Sequence, residues 1–110
     1  MFDQNDSEQK IVDNRGFSGL EQWYKSRCNG DWEHQYGIKI DTLDNPGWMV
    51  EIDLRGTQAE DRTLDWTKIS RSEDDWIHYR VEKSQFMLAC GPLNLSEAAG
   101  IFLEWFEQSG

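Results

Sequence analysis

Residues 37–54, GIKIDTLDNPGWMVEIDL, constrain the fold more than any other stretch of the chain. Ile38 and Ile40 alternate with Lys39 and Asp41, and Trp48, Val50, Ile52 and Leu54 alternate with Met49, Glu51 and Asp53. A period of two sends neighbouring side chains to opposite faces of a strand, so each run has a buried side and a solvated side. Between the runs, Asn45-Pro46-Gly47 predicts a type II turn, in which Pro46 presets φ at the second position and Gly47 supplies a positive φ at the third. The product is a hairpin with an oily face and a charged face. On the charged face Asp41, Glu51 and Asp53 outnumber Lys39, an arrangement better suited to a basic protein than to nucleic acid.

The remaining segments supply partners for that oily face. Residues 1–16 have few apolar side chains and no period, and are expected to form a flexible tail before a single domain over 17–110. Ser18 and Glu21 have the spacing of a capping box, with Phe17 as its hydrophobic staple, which predicts a helix over about 19–27 ended by Asn29-Gly30. Phe17, Leu20, Trp23 and Tyr24 share one stripe of it. Residues 31–36 have no clean period and read as a loop or as an irregular beginning of the first strand. Residues 55–65 are polar and read as an exposed connection.

A weaker strand is expected over 66–72, then a turn at Glu73-Asp74-Asp75. In the next strand, 76–82, Ile77, Tyr79 and Val81 alternate with Trp76, His78 and Arg80. Lys83-Ser84 makes a further turn into a strand over 85–90. Asn94 and Glu97 repeat the capping-box spacing before a helix with Leu95, Ala98, Ala99, Phe102 and Phe106 on its inner stripe. Ile101, Leu103 and Trp105 widen the apolar arc, which places this helix deep against the sheet or beside the first helix. The expected class is α+β: an antiparallel meander of about five strands packed with an N-terminal and a C-terminal helix.

Charge narrows the partners. With 21 acidic against 11 basic residues the 110-residue chain carries a formal charge of -10, which repels phosphate backbones and anionic membranes and attracts cationic proteins. Nucleic acid and membrane are therefore not expected as partners. The start of the chain lacks the basic and apolar regions of a secretory signal, and no run approaches the ~20 apolar residues of a membrane helix. A cytoplasmic location with Cys28 and Cys90 reduced is the corresponding expectation.

Chemistry is thinly represented. Cys90 precedes a helix start, where amides and the dipole lower a thiol pKa, yet it shares the alternation of Phe86 and Leu88 and so falls with the core set. His34 and His78 lack metal-ligand spacing, and Glu73-Asp74-Asp75 lacks the DxDxDG form of a calcium loop. No metal, cofactor or catalytic residue is expected. Trp32 between Asp31 and Glu33, and Trp76 beside Asp74 and Asp75, combine apolar area with charge in the manner of interface anchors, against the plainer reading that each fills the core.

Several runs in order are similar to one known family. Trp23-Tyr24, Gly30-Asp31-Trp32-Glu33-His34, Tyr36-Gly37-Ile38, Thr42-Leu43-Asp44-Asn45-Pro46-Gly47-Trp48, Ile52-Asp53-Leu54, Ser72-Glu73-Asp74-Asp75-Trp76, Gly91-Pro92 and Phe102-Leu103-Glu104-Trp105 resemble the immunity protein 53 family of bacterial polymorphic toxin systems. The resemblance spans about residues 17–107, and Lys83-Ser84 stands where it implies a glycine-containing turn. It implies a small α+β protein that binds a cognate toxin and blocks it inside the producing cell, and it does not imply catalysis; a monomer or weak homodimer is expected. Charge favours a basic nuclease as that toxin. The expected contact set is Trp32, Glu33, Asp41, Glu51, Asp53, Asp74, Asp75 and Trp76. The alternative is a small enzyme or ligand-binding protein with a sulfurtransferase-like thiol site near Cys90, although the chain lacks the Cys-loop and Arg arrangement such a site requires.

Overall fold

The hairpin forms where its pattern places it. In the structure, a computed structural model that describes residues 16–109, β1 spans Ile38–Leu43 and β2 spans Gly47–Asp53, with Ile38 opposite Ile52 and Ile40 opposite Val50. The tail expected over 1–16 lies outside the described residues apart from Gly16. Three further strands follow, β3 Leu64–Ser72, β4 Asp75–Glu82 and β5 Gln85–Cys90, with helices α1 Phe17–Arg27, α2 Trp32–Gln35 and α3 Leu95–Gln108.

All pairs are antiparallel, so the α+β class holds, but the strand order is β1-β2-β5-β4-β3 rather than sequential. A strict meander would seat β3 against β2. Instead β5 takes the centre, because its residues are apolar on both faces: Phe86, Leu88 and Cys90 on one, Met87 and Ala89 on the other. β3, with Lys68, Ser70 and Arg71, suits an edge. The link over 54–63 that reaches this edge is less exposed than its composition implies, since Thr57 and Ala59 are buried. The Thr57 hydroxyl donates to the Leu54 carbonyl at 2.7 Å, and the Ser84 hydroxyl donates to the Glu60 carbonyl at 2.8 Å, which ties the link to the β4–β5 turn.

Two turns depart from their sequence reading. Gly47 is not among the residues with positive φ, so the hairpin does not use it as a type II turn would. Its role is steric: a Cβ there would collide with the Cys90 carbonyl of the neighbouring strand. Lys83 and Ser84 have φ of 56° and 61°, the left-handed pair that a two-residue hairpin needs and that Asn and Gly adopt most readily. Lys83→Asn is therefore expected to stabilise the fold by about 0.5–1 kcal/mol, seen as a raised urea midpoint at unchanged m-value.

All the burial that joins helices to sheet lies on one face. Ile52, Ile77, Val81 and Phe86 are each at most 1% exposed. Phe86 meets Phe102 of α3 with ring centroids 5.0 Å apart, and Trp23 of α1 meets Phe102 at 5.0 Å and Phe106 at 5.4 Å, all edge-on. The wide apolar arc of α3 thus serves both the sheet and α1.

Neither capping box forms. α1 starts at Phe17 with Gly16 as its cap and Ser18 inside the helix. Asn94 does cap α3, but its side chain joins the helix to the β3–β4 hairpin, accepting from the Trp76 amide and donating to the Asp75 carboxylate at 2.9 Å. Residues 32–35 are a short helix rather than a loop or strand.

Candidate functional site

The face of the sheet opposite the helices carries no helix among the described residues, and its side chains are fixed by the strand registers. Asp41 faces Met49, Met49 faces Ala89, Ala89 faces His78 and His78 faces Lys68. One row along, Lys39, Glu51, Met87 and Arg80 stand in line. The register shift between Leu64 and Thr67 brings Trp66 to the end of this row, where the Arg80 guanidinium lies 4.9 Å from its ring centroid. Trp66 is 49% exposed, an unusual exposure for so large an apolar group. At the other end of β4 the rings of Trp76 and His78 lie 5.0 Å apart. Aromatic, Met and Arg side chains on one uncovered surface are the composition of an interface core.

Asp41, Glu51, Asp53 and Trp76 of the expected contact set meet on this face, and Asp74 and Asp75 stand at its β3–β4 corner. Trp32 and Glu33 do not. Trp32 is 6% exposed, edge-on to Trp23 at 5.9 Å, and its indole N–H donates to the Arg55 carbonyl at 2.7 Å, so it fills the core. The Glu33 carboxylate accepts from the Asn29 and Gly30 amides at 2.9 and 2.8 Å and pins the loop that follows α1. Asp53 is likewise engaged, accepting from the Gly37 amide at 2.9 Å and the Gln85 amide at 3.0 Å. Asp75 accepts from Arg71, which also bonds Glu97 at 2.6 Å.

Counting charges over the assembled face changes its character. Asp41, Glu51, Asp53 and Glu82 stand against Lys39, Lys68 and Arg80, so the face is nearly balanced, and Arg80 and Glu82 pair at 3.4 Å. Most of the acidic surplus lies in the helices, loops and residues before Gly16. Sequence reasoning missed Trp66, Met49, Met87 and Arg80. The alternation of Trp76, His78 and Arg80 along β4 was the available signal.

The engaged carboxylates predict an acid limb. The backbone amide of Glu33 itself, then those of Asn29 and Gly30, hold the Glu33 carboxyl below the usual glutamate range. Arg71 first and Asn94 second do the same for Asp75. The unfolded chain takes up these protons at higher pH than the folded one. Their stabilisation is therefore complete above the unfolded pKa values and is lost as pH falls through the lower folded ones. Urea midpoints measured from about pH 5 down to about pH 2 should fall for the wild type and fall less steeply for Glu33→Gln/Asp75→Asn.

Cys90 is fully buried, and desolvation pushes its thiol up to about 11, which leaves it protonated at neutral pH. His34 lies on α2 and His78 on the open face. Among the described residues, no group of three or more His, Cys, Asp or Glu is placed to hold a metal ion, and no helix is long and apolar enough to cross a membrane. Residues 17–107 match the family model described as Immunity protein 53. No curated protein and no solved structure matches the chain.

Proposed function

The chain belongs to the immunity protein 53 family, and we propose that it binds the toxin of its own system through the uncovered face of the sheet and inactivates it by stoichiometric occlusion. The observation that carries this reading is the row Glu51, Met87, Arg80 and Trp66, apolar area interleaved with paired charge on a surface that no helix among the described residues shields. Such a row offers anchors that lose water on contact and charges that fix the register of the partner.

The overall charge of -10 acts at longer range, steering a basic toxin at a rate that falls with salt. A nuclease is the natural class, because a groove built for phosphate is cationic. Binding takes place in the cytoplasm of the producing cell and makes or breaks no bond. A thiol enzyme centred on Cys90 is disfavoured by the burial of that sulfur and by its protonation at neutral pH.

The test is to produce the chain together with the toxin encoded beside it. The two should copurify at a one-to-one ratio, cells carrying both should grow, and the isolated toxin should regain activity when the chain is removed. Growth rescue without a complex, or turnover of a small molecule by the chain alone, would rule the reading out.

A further inference from the structure

The two edges of the sheet are unlike. β3 is interrupted by register shifts between Leu64 and Thr67 and between Ser70 and Ser72, and it carries Lys68 and Arg71, devices that discourage an edge from pairing. β1, the other edge, keeps unbroken register with β2 and contains no proline, glycine or bulge. The Gly37 carbonyl accepts from the Asp53 amide at 3.1 Å. By the alternation of an antiparallel ladder, Lys39 and Asp41 also turn their main-chain groups toward β2, while Ile38, Ile40 and Thr42 turn theirs outward to the free edge.

Directly beside that edge, on the helix side, runs a mainly apolar groove of about 440 Å³ lined by Phe17, Leu20, Glu21 and Tyr24 of α1 and by Gly37, Ile38 and Ile40 at β1. Phe17, Tyr24 and Ile40 are 44%, 40% and 39% exposed. A row of main-chain groups with no strand partner among the described residues, next to a mainly apolar groove, is the geometry of strand addition, in which the edge supplies hydrogen bonds and the groove receives alternate side chains.

We propose that the strand added here is β1 of a second copy of the chain, paired antiparallel about a two-fold axis at Ile40, so that the two sheets run on as one. The order of charges selects this occupant. Lys39 and Asp41 flank Ile40 at equal distance, so a pairing centred on Ile40 sets Lys39 of each copy opposite Asp41 of the other. Registers centred on Lys39 or on Asp41 would instead oppose two like charges, which is unfavourable across a strand pair. Centring on Ile40 also brings together the outward-facing main-chain groups of Ile40 and its copy, and those of Ile38 and Thr42. On the groove side it places Ile40 against Ile40. The contact is isologous and closes at two copies, leaving the interrupted β3 edges as the free edges among the described strands. It uses the β1 edge and the helix-side groove, touches the open face only at its border through Lys39 and Asp41, and does not depend on the toxin reading.

Sedimentation velocity of the full chain from about 1 μM to about 1 mM spans the affinities that such a contact can reach. The expected result is a mass that rises with concentration to that of two copies. Asp41→Lys sets Lys opposite Lys39 on both sides of the axis and should raise the dissociation constant roughly tenfold or more. Lys39→Asp/Asp41→Lys, which restores opposite charges in reversed order, should bring the dimer back. In the wild type, amide exchange at Ile40 and Thr42 should slow as the dimer forms. The proposal is overturned by a single-copy mass throughout, by Asp41→Lys dimerising as the wild type does, by a folded double variant that stays monomeric, or by a dimer in which those two amides still exchange freely.

Discussion

Phe102→Ala is expected to lower the unfolding free energy by about 3–5 kcal/mol, the largest stability effect of any single truncation in the described part of the chain. Phe102 is 1% exposed and is the ring at which the layers meet. It contacts Trp23 of α1 and Phe86 of β5, each at 5.0 Å, and Phe106 and Trp105 of its own helix at 5.8 and 6.4 Å. Truncation removes the transfer free energy of a buried aromatic side chain, leaves a cavity that three elements would have to shift to fill, and ends two edge-on and two tilted ring contacts. Since domains of this size are stable by roughly 5–15 kcal/mol, the loss is a large fraction of the whole. Phe102→Leu, which keeps most of the volume, should cost less than half as much. Leu93→Ala, at a position 94% exposed, should change the urea midpoint by no more than about 0.5 kcal/mol equivalent. A Phe102→Ala midpoint close to that of Leu93→Ala would show that the helices are not locked onto the sheet through this ring.

The core was legible because it is periodic. Alternation assigned Ile38, Val50, Ile52, Phe86 and Leu88 to one face of the sheet, and spacing assigned Ala98, Ala99, Phe102 and Phe106 to one stripe of α3, before any contact was known. Strand order was not legible, because local patterns state which face is buried and not which strand lies alongside. Only the two-sided apolar character of β5 hinted at its central place. Polar side chains were harder still. Asn94, Glu97, Ser18 and Glu21 have capping-box spacing, yet Asn94 and Glu97 bond across to the β3–β4 hairpin, a choice that depends on a neighbour 19 or 26 residues away. Trp32 and Trp76 looked alike as anchors between acids. The difference is that the short helix α2 turns Trp32 against Trp23, whereas the parity of β4 turns Trp76 away from the helices. Trp66 escaped because the register shift after Leu64, which decides the face it occupies, has no signature in sequence.

Trp66→Ala is expected to weaken toxin binding roughly 100-fold while leaving the fold intact, the largest functional effect the open face predicts. The two halves of that expectation come from different observations. Trp66 sits on an edge strand and is 49% exposed, so its removal takes little from the core and the thermal midpoint should move by no more than a few degrees. Its ring also holds Arg80 at 4.9 Å. Truncation therefore removes a large exposed apolar group from the proposed face and frees the guanidinium from the position in which that face presents it. If the ring and the guanidinium act as one anchor, Arg80→Ala should also weaken binding, and the double variant should lose less than the sum of the two, a coupling readable from a double-mutant cycle. Glu51→Lys, next to Met87 in the same row, should act differently, slowing association at low salt with little change in dissociation. Phe17→Ala, on the opposite layer, is the control and should leave toxin affinity as it is. Full affinity in Trp66→Ala together with a loss in Phe17→Ala would move the toxin to the helix side of the molecule, where the groove beside β1 would then be its seat.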